Sequence, residues 1–205
     1  VGGVAGAGKV VVSWVAPAFD GGAPISGYTV TSSPGGKSCT TAGALTCEVT
    51  GLSNGTGYVF TVVAANTAGA SGPSAVSPVV VPRTIPGAPT SVVGTAGDRS
   101  VSVAFVGPAD SGGAAVTNYE YSTDNGATWV ARNPVSVVSP VLVGGLTNGV
   151  TYQLKLRAVN AAGAGAPSVA VAVTPKAPVT VPGAPTGVGG VAGAGKVVVS
   201  WVAPA

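Results

Sequence analysis

Cys39 and Cys47 are the two cysteines of the chain, eight positions apart in CTTAGALTC on either side of a turn. Thiols at that spacing can bridge two adjacent strands, and closing so short a loop stabilises a fold by about 2–3 kcal/mol. A disulfide would place the chain in an oxidising, extracellular setting; the alternative is a pair of free, buried thiols. Metal binding would need two further ligands, and the sequence offers none at a suitable spacing. There is no His, so the commonest general base and the commonest neutral metal ligand are both missing. Glu120 and Asp124 are close in sequence, but nothing around them would raise a carboxyl pKa. Asp20, Asp98 and Asp110 stand singly in Gly-rich turns, where a carboxylate caps the backbone; calcium at a domain junction is the alternative, with few charged oxygens to hold it. These residues carry no acid–base pair, nucleophile or cofactor site. The expectation is a protein that is not an enzyme.

Two turns carry residues with a second reading. STDNGATW, Ser122 to Trp129, resembles the Asp-box of sialidase-like hairpins. The resemblance implies that Asp124 accepts backbone hydrogen bonds, that Asn125-Gly126 turns the chain and that the Trp packs beneath. A structural turn is the preferred reading; an exposed Trp129 stacking on a sugar is the functional alternative. Asn54-Gly55-Thr56 is formally a glycosylation acceptor. Its place in a turn before Tyr58 explains it without a sugar.

The elements that must position these residues emerge from repetition. VGGVAGAGKVVVSWVAPA occupies Val1 to Ala18 and again Val188 to Ala205, a period of 187 residues. A fainter repeat divides that period. GLSNGTGYVFTVVAANTAGASGPS (Gly51 to Ser74) matches GLTNGVTYQLKLRAVNAAGAGAPS (Gly145 to Ser168) at an offset of 94. WVAPAFDGGAPISGYTV (Trp14 to Val30) matches FVGPADSGGAAVTNYEY (Phe105 to Tyr121) at an offset of 91. The difference is a three-residue insertion in the second unit. IPGAPTSV and VPGAPTGV, at Ile85 and Val181, mark two unit starts. The expected domains are 1–84, with its first strand truncated, 85–180, and 181–205 as the opening of a third. The favoured origin is a segment of a long tandem array.

Strand signals recur every 8–15 residues with turn residues between them. The clearest is YQLKLRAV, where Tyr152, Leu154, Leu156 and Ala158 share one face and Gln153, Lys155 and Arg157 the other. These features resemble the fibronectin type III family. The resemblance rests on PGAPT, on the strand ending in Trp14, Phe105 or Trp201, and on Tyr28 or Tyr119 in the next strand. It rests also on GLSNGTGY and GLTNGVTY, in which Leu52 and Tyr58, or Leu146 and Tyr152, look like the family's buried leucine and tyrosine corner. AANTAGASGPS and AVNAAGAGAPS look like the loop and last strand. The implied fold class is all-β, as tandem seven-stranded immunoglobulin-like sandwiches of a bacterial-looking variety. Such modules mostly act as spacers, scaffolds or adhesion surfaces.

Composition fits that class. Charged residues make up 7% of the chain, against roughly a quarter of an average soluble domain, so repulsion between copies is weak. Nine basic and six acidic residues are scattered, without the basic stripe that nucleic acid requires. No stretch of eighteen apolar residues escapes interruption, so membrane insertion is not expected.

The two units differ on one outward face. At matching positions the first reads Thr29, Thr31, Val59, Thr61 and Val63 where the second reads Glu120, Ser122, Gln153, Lys155 and Arg157. Glu120 with Lys155 or Arg157 suits a solvated face. The Val/Thr set is a candidate lateral interface, covered by a neighbouring domain or another chain; the alternative is that Val and Thr simply satisfy strand propensity. Close-set prolines in VVVPRTIPGAPT and VTPKAPVTVPGAPT favour stiff linkers. The expected role is a fibre, stalk or adhesin shaft of a secreted or surface-anchored protein. Its expected partners are other copies or adjacent repeats, with a surface glycan or host ligand as a further possibility. Alternatives are a spacer in a polysaccharide-degrading enzyme and a glycan-binding module.

Overall fold

The computed structural model describes residues 1–204. The first seven strands are β1 (Gly2–Gly6), β2 (Lys9–Ser13), β3 (Gly27–Ser33), β4 (Ser38–Thr41), β5 (Thr46–Thr50), β6 (Val59–Asn66) and β7 (Gly69–Ala70). They form two sheets in the orders β1-β2-β5 and β4-β3-β6-β7. Alternation decides which face is buried. In β2, Val10 and Val12 point inward, while Lys9, Val11 and Ser13 point out. Phe60 and Val62 of β6 meet Val10, Val12, Val30 and Val49 in the space between the sheets.

The second sandwich repeats the plan with β8 (Thr90–Gly97), β9 (Ser100–Val106), β10 (Asn118–Ser122), β11 (Val130–Ala131), β12 (Val141–Gly144), β13 (Tyr152–Asn160), β14 (Gly163–Ala164) and β15 (Val171–Val173). Its sheets are β12-β9-β8 and β11-β10-β13-β14, with β15 also paired to β13. The expected alternation in β13 is present: Leu154, Leu156 and Ala158 are buried and Gln153 is exposed. Both sandwiches close the same corner, because Tyr58 Oη accepts from the Ser53 N–H at 3.0 Å and Tyr152 Oη from the Thr147 N–H at 3.0 Å.

The last edge differs between them. Past β7, the N–H groups of Ser71, Ser74 and Ser77 donate to the carbonyls of Ala64, Val62 and Phe60 at 2.8, 2.9 and 3.0 Å. The hydroxyls of those serines accept from the N–H groups of the same three β6 residues, each at 3.0 Å. Three residues therefore stand against every two of β6. The extra one bulges outward, and a hydroxyl replaces the carbonyl that a regular ladder would supply. In the second sandwich only Ser168 does this, accepting from Leu156 N–H at 3.0 Å, and β15 then restores a regular ladder.

Among the described residues, the remaining strands, β16 (Thr186–Gly193) and β17 (Lys196–Val202), pair only with each other. Val197, Val199 and Trp201 are 63%, 52% and 60% exposed, whereas Val10, Val12 and Trp14 in the identical first hairpin are 0%, 0% and 8% exposed. The same residues are a core in one place and a surface in the other. The difference is the partner β5 and the opposing sheet.

Candidate functional site

Cys39 and Cys47 form a disulfide with a Cα–Cα distance of 6.2 Å. The bridge does not join two paired strands, as the spacing suggests. β4 and β5 are consecutive in sequence but belong to opposite sheets, so the bond staples the sandwich across its edge. At the matching positions of the second unit, Val141 is buried but Val130 is 49% exposed. The matching sequence positions suggest that an apolar contact of these two valines replaces the bridge, but Val130 lies outside the second core. The connection there is longer, and Arg132 gathers it instead, its guanidinium donating to the carbonyls of Val138 and Pro140.

The Val/Thr set forms one continuous outer face. Thr29 lies opposite Val63, Thr31 opposite Thr61 and Ser33 opposite Val59 across β3 and β6. Thr29 and Thr31 are exposed; Val59, Thr61 and Val63 are half-buried. The equivalent face of the second sandwich is occupied by its own chain. Glu120 faces Arg157 in the register, and the pair makes a 2.6 Å ion pair. The Arg157 guanidinium lies over the Trp129 ring, 4.2 Å from its centroid, a stabilising cation–π geometry. Trp129 also donates Nε1–H to the Gly126 carbonyl at 3.1 Å. The tryptophan thus caps its own sheet. Ser122, expected in solvent, lies buried beneath this turn.

Asp124 organises that turn. Its carboxylate accepts from the hydroxyls of Ser122 and Thr128 at 2.6 Å each and from the Thr128 N–H at 2.9 Å. These bonds, that of Ser122 first, hold its pKa well below the usual carboxylate range. Burial pushes the Tyr119 phenol up. Neither shift provides a proton donor or acceptor near neutral pH. Among the described residues no cluster of His, Cys, Asp and Glu could hold a metal ion, and no helix is long and apolar enough to cross a membrane. Gly51-Leu52-Ser53-Asn54-Gly55 has the spacing of a nucleophile elbow, but it lies in the tyrosine-corner turn of a chain without His. Asn54 Oδ1 accepts from the Gly8 N–H at 2.8 Å, and Asn148 repeats the bond with Arg99 N–H at 2.8 Å. Asn148 precedes Gly-Val, which is no acceptor sequon, so the bond to the backbone accounts for the Asn.

The junction between the sandwiches is built from backbone groups and one side-chain amide. Thr84 N–H donates to Gly112 O at 2.8 Å, and Asn160 Nδ2 donates to Thr84 O at 2.8 Å. Gly113 lies directly against Asn54 and Gly55 of the first sandwich. The sequence reading missed Asn160, Gly113 and the Ser71, Ser74, Ser77 ladder. The serine spacing of three was the available signal. Nothing marked the Asn and Gly except their repetition as Asn66 and Gly22.

Residues 4–80 match the family of the Fibronectin type III domain. The first sandwich is a fibronectin type III domain. The second shares its strand order and tyrosine corner, so the fold is a tandem of fibronectin type III sandwiches. The chain is 30% identical over 186 residues to cardiac-type myosin-binding protein C of Rattus norvegicus, covering 86% of this chain and 14% of that protein. It is 34% identical over 184 residues to exoglucanase B of Cellulomonas fimi, covering 85% of this chain and 16% of that enzyme. Among solved structures, the chicken CNTN1 FN1-FN3 domains align at a TM-score of 0.41 with 21% identity, over 98% of this chain and 74% of that one. The chain spans a small part of the length of the curated relatives it matches.

Proposed function

We propose that the protein is a structural segment of a secreted or surface-anchored repetitive protein of bacterial type, in which stiff fibronectin type III domains supply length to a fibre, stalk or adhesin shaft. The observation that carries this reading is the junction. Thr84 is held at both its N–H and its carbonyl by the second domain, and Gly113 abuts the Asn54-Gly55 turn of the first. A connection fixed at the linker and at a loop contact leaves little freedom for a hinge. The disulfide supports an oxidising, extracellular location. The Thr29, Thr31, Val59, Thr61 and Val63 face supports packing between copies, because it is uncharged and its residues are exposed or only half-buried. Small-angle scattering and 15N relaxation on the 205-residue chain test the reading. One rotational correlation tensor for both domains is expected, and independent tumbling would overturn it.

A second reading, a spacer within a secreted polysaccharide-degrading enzyme, is favoured by the similarity to exoglucanase B. The sequence of the parent gene on either side separates the two. Further 187-residue repeats support the shaft, and a glycosidase domain supports the spacer.

A further inference from the structure

Asn-Gly occurs at Asn54-Gly55, Asn125-Gly126 and Asn148-Gly149, each time in a turn. The pair is chemically reactive, because glycine has no side chain to shield its nitrogen. That nitrogen can attack the Asn side-chain carbonyl carbon, expel ammonia and close a cyclic imide. At Asn54 and Asn148 the fold restrains both reacting groups. Gly55 N–H donates to Pro82 O and Gly149 N–H to Pro175 O, each at 2.9 Å. Asn54 Oδ1 accepts from Gly8 N–H and Asn148 Oδ1 from Arg99 N–H, each at 2.8 Å. Asn148 Nδ2 also donates to Asp98 Oδ1 at 2.7 Å. In both turns the left-handed residue is the glycine, at φ +82° and +81°.

Asn125 is placed differently. It is exposed, and it is itself left-handed, at φ +62° with Gly126 at +96°. Ala127 N–H reaches back to Asp124 O at 3.4 Å, so Asp124 to Ala127 form a type I′ turn. An imide closes once the peptide after the Asn turns over, which converts a type I′ turn to type II′. The two types share a positive φ at the first central position, so Asn125 keeps its own. Before that, the Gly126 N–H is held by Ser122 Oγ at 2.7 Å. Closure at Asn54 or Asn148 would instead give up a backbone bond and a side-chain bond to neighbouring segments.

We propose that Asn125 is a site of spontaneous covalent modification in the folded protein, with Ser122 as its brake. The Gly126 nitrogen loses its proton and bonds to Asn125 Cγ, while the Cγ–Nδ2 bond breaks and ammonia leaves. Water then adds to one of the two imide carbonyls. Opening on one side leaves an aspartyl residue. Opening on the other leaves an isoaspartyl residue, whose backbone runs through the former side chain and is longer by a methylene. Either product places a second carboxylate beside Asp124. Because Asp124 ties this turn to Ser122 and Thr128, a longer backbone at position 125 loosens the cover over the buried Ser122. The Ser122 hydroxyl must release Gly126 N–H before the peptide turns over, so it sets the pace.

The three sites serve as one another's controls. The full chain is incubated at mildly alkaline pH, folded or in concentrated urea, and conversion at each Asn is followed by peptide mapping and mass spectrometry. In the folded chain Asn125 is expected to convert about tenfold faster than Asn54 or Asn148, the scale of one hydrogen bond kept or lost. In urea the three should convert at similar rates. S122A should speed Asn125 by a further factor of about three and leave Asn148, in the same domain, unchanged. Equal rates at the three sites in the folded chain would overturn the proposal. So would an S122A chain in which Asn125 is no faster, or in which Asn148 accelerates alongside it, since opening would then be that of the whole domain.

Discussion

Gly113 of the second domain sits so close to Gly55 of the first that a Cβ added at 113 would collide with the Gly55 amide nitrogen and fall 2.6 Å from the Asn54 carbonyl carbon. The matching residue of the first domain, Gly22, has nearly the same backbone, φ +83° against +80°, and nothing within 4 Å of its virtual Cβ. One loop thus appears twice with the same conformation, once at a contact and once in the open.

That pair supplies its own control. Gly22→Ala is expected to destabilise the first domain by about 1–2 kcal/mol, the cost of a left-handed backbone for a residue with a Cβ. Gly113→Ala carries the same backbone cost and also forces the two domains apart. The measurement is 15N relaxation of both variants. Independent tumbling is expected for Gly113→Ala alone, and equal behaviour would mean that the contact does not stiffen the chain.

Ser77 shows a different dependence. Its hydroxyl accepts from the N–H of Phe60, a residue with no exposed surface, at 3.0 Å. Ser77→Ala leaves that donor unpaired in the core, which costs about 1–3 kcal/mol. Urea unfolding should place the loss in the first domain. Ser168→Ala, at Leu156 N–H, should produce a similar loss in the second.

These two cases explain what could be read from the sequence. The alternation of β13 and the all-β plan follow from period-two patterning and turn residues, the tyrosine corner from the family resemblance, and the structure has all three. The disulfide was legible as a pair of cysteines, but its crossing from one sheet to the other was not. CTTAGALTC carries no signal that distinguishes a hairpin from a strand switching sheets. The burial of Ser122 was hidden because alternation puts it outward, and the turn it anchors covers it, its hydroxyl bonded to the Asp124 carboxylate and the Gly126 N–H. Gly113 and Asn160 act between segments far apart in sequence, so local pattern could not reveal them.

Removing the Cys39–Cys47 bridge, as Cys39→Ala/Cys47→Ala, should lower the stability of the first domain by about 2–3 kcal/mol, as expected for a short closed loop. The second domain, which uses Arg132 at this edge, should be unchanged. Denaturant melts with and without a reductant should show the same selectivity; a loss shared by both domains would mean the junction couples their unfolding.

Asp124 makes the second domain acid-sensitive. Its folded pKa is depressed, so its contribution is complete above the unfolded value near pH 4 and drains as pH falls toward the folded one. Asp124→Asn removes that dependence. The unfolding midpoint of the second domain, followed from pH 6 down to pH 2, should fall less steeply in the variant than in the parent.

The Val/Thr face gives the prediction that bears most on assembly. Val59 and Val63 point outward from β6 and are only half-buried, so lysines there can extend into water and should cost under ~1 kcal/mol of stability. A face bearing two positive charges on every copy would repel its own kind, whereas the parent face carries no charge at all. Sedimentation of concentrated parent protein should show rapid, reversible association that Val59→Lys/Val63→Lys abolishes. If the parent and the double variant sediment alike, valine and threonine are there because extended backbone favours them, and copies meet elsewhere.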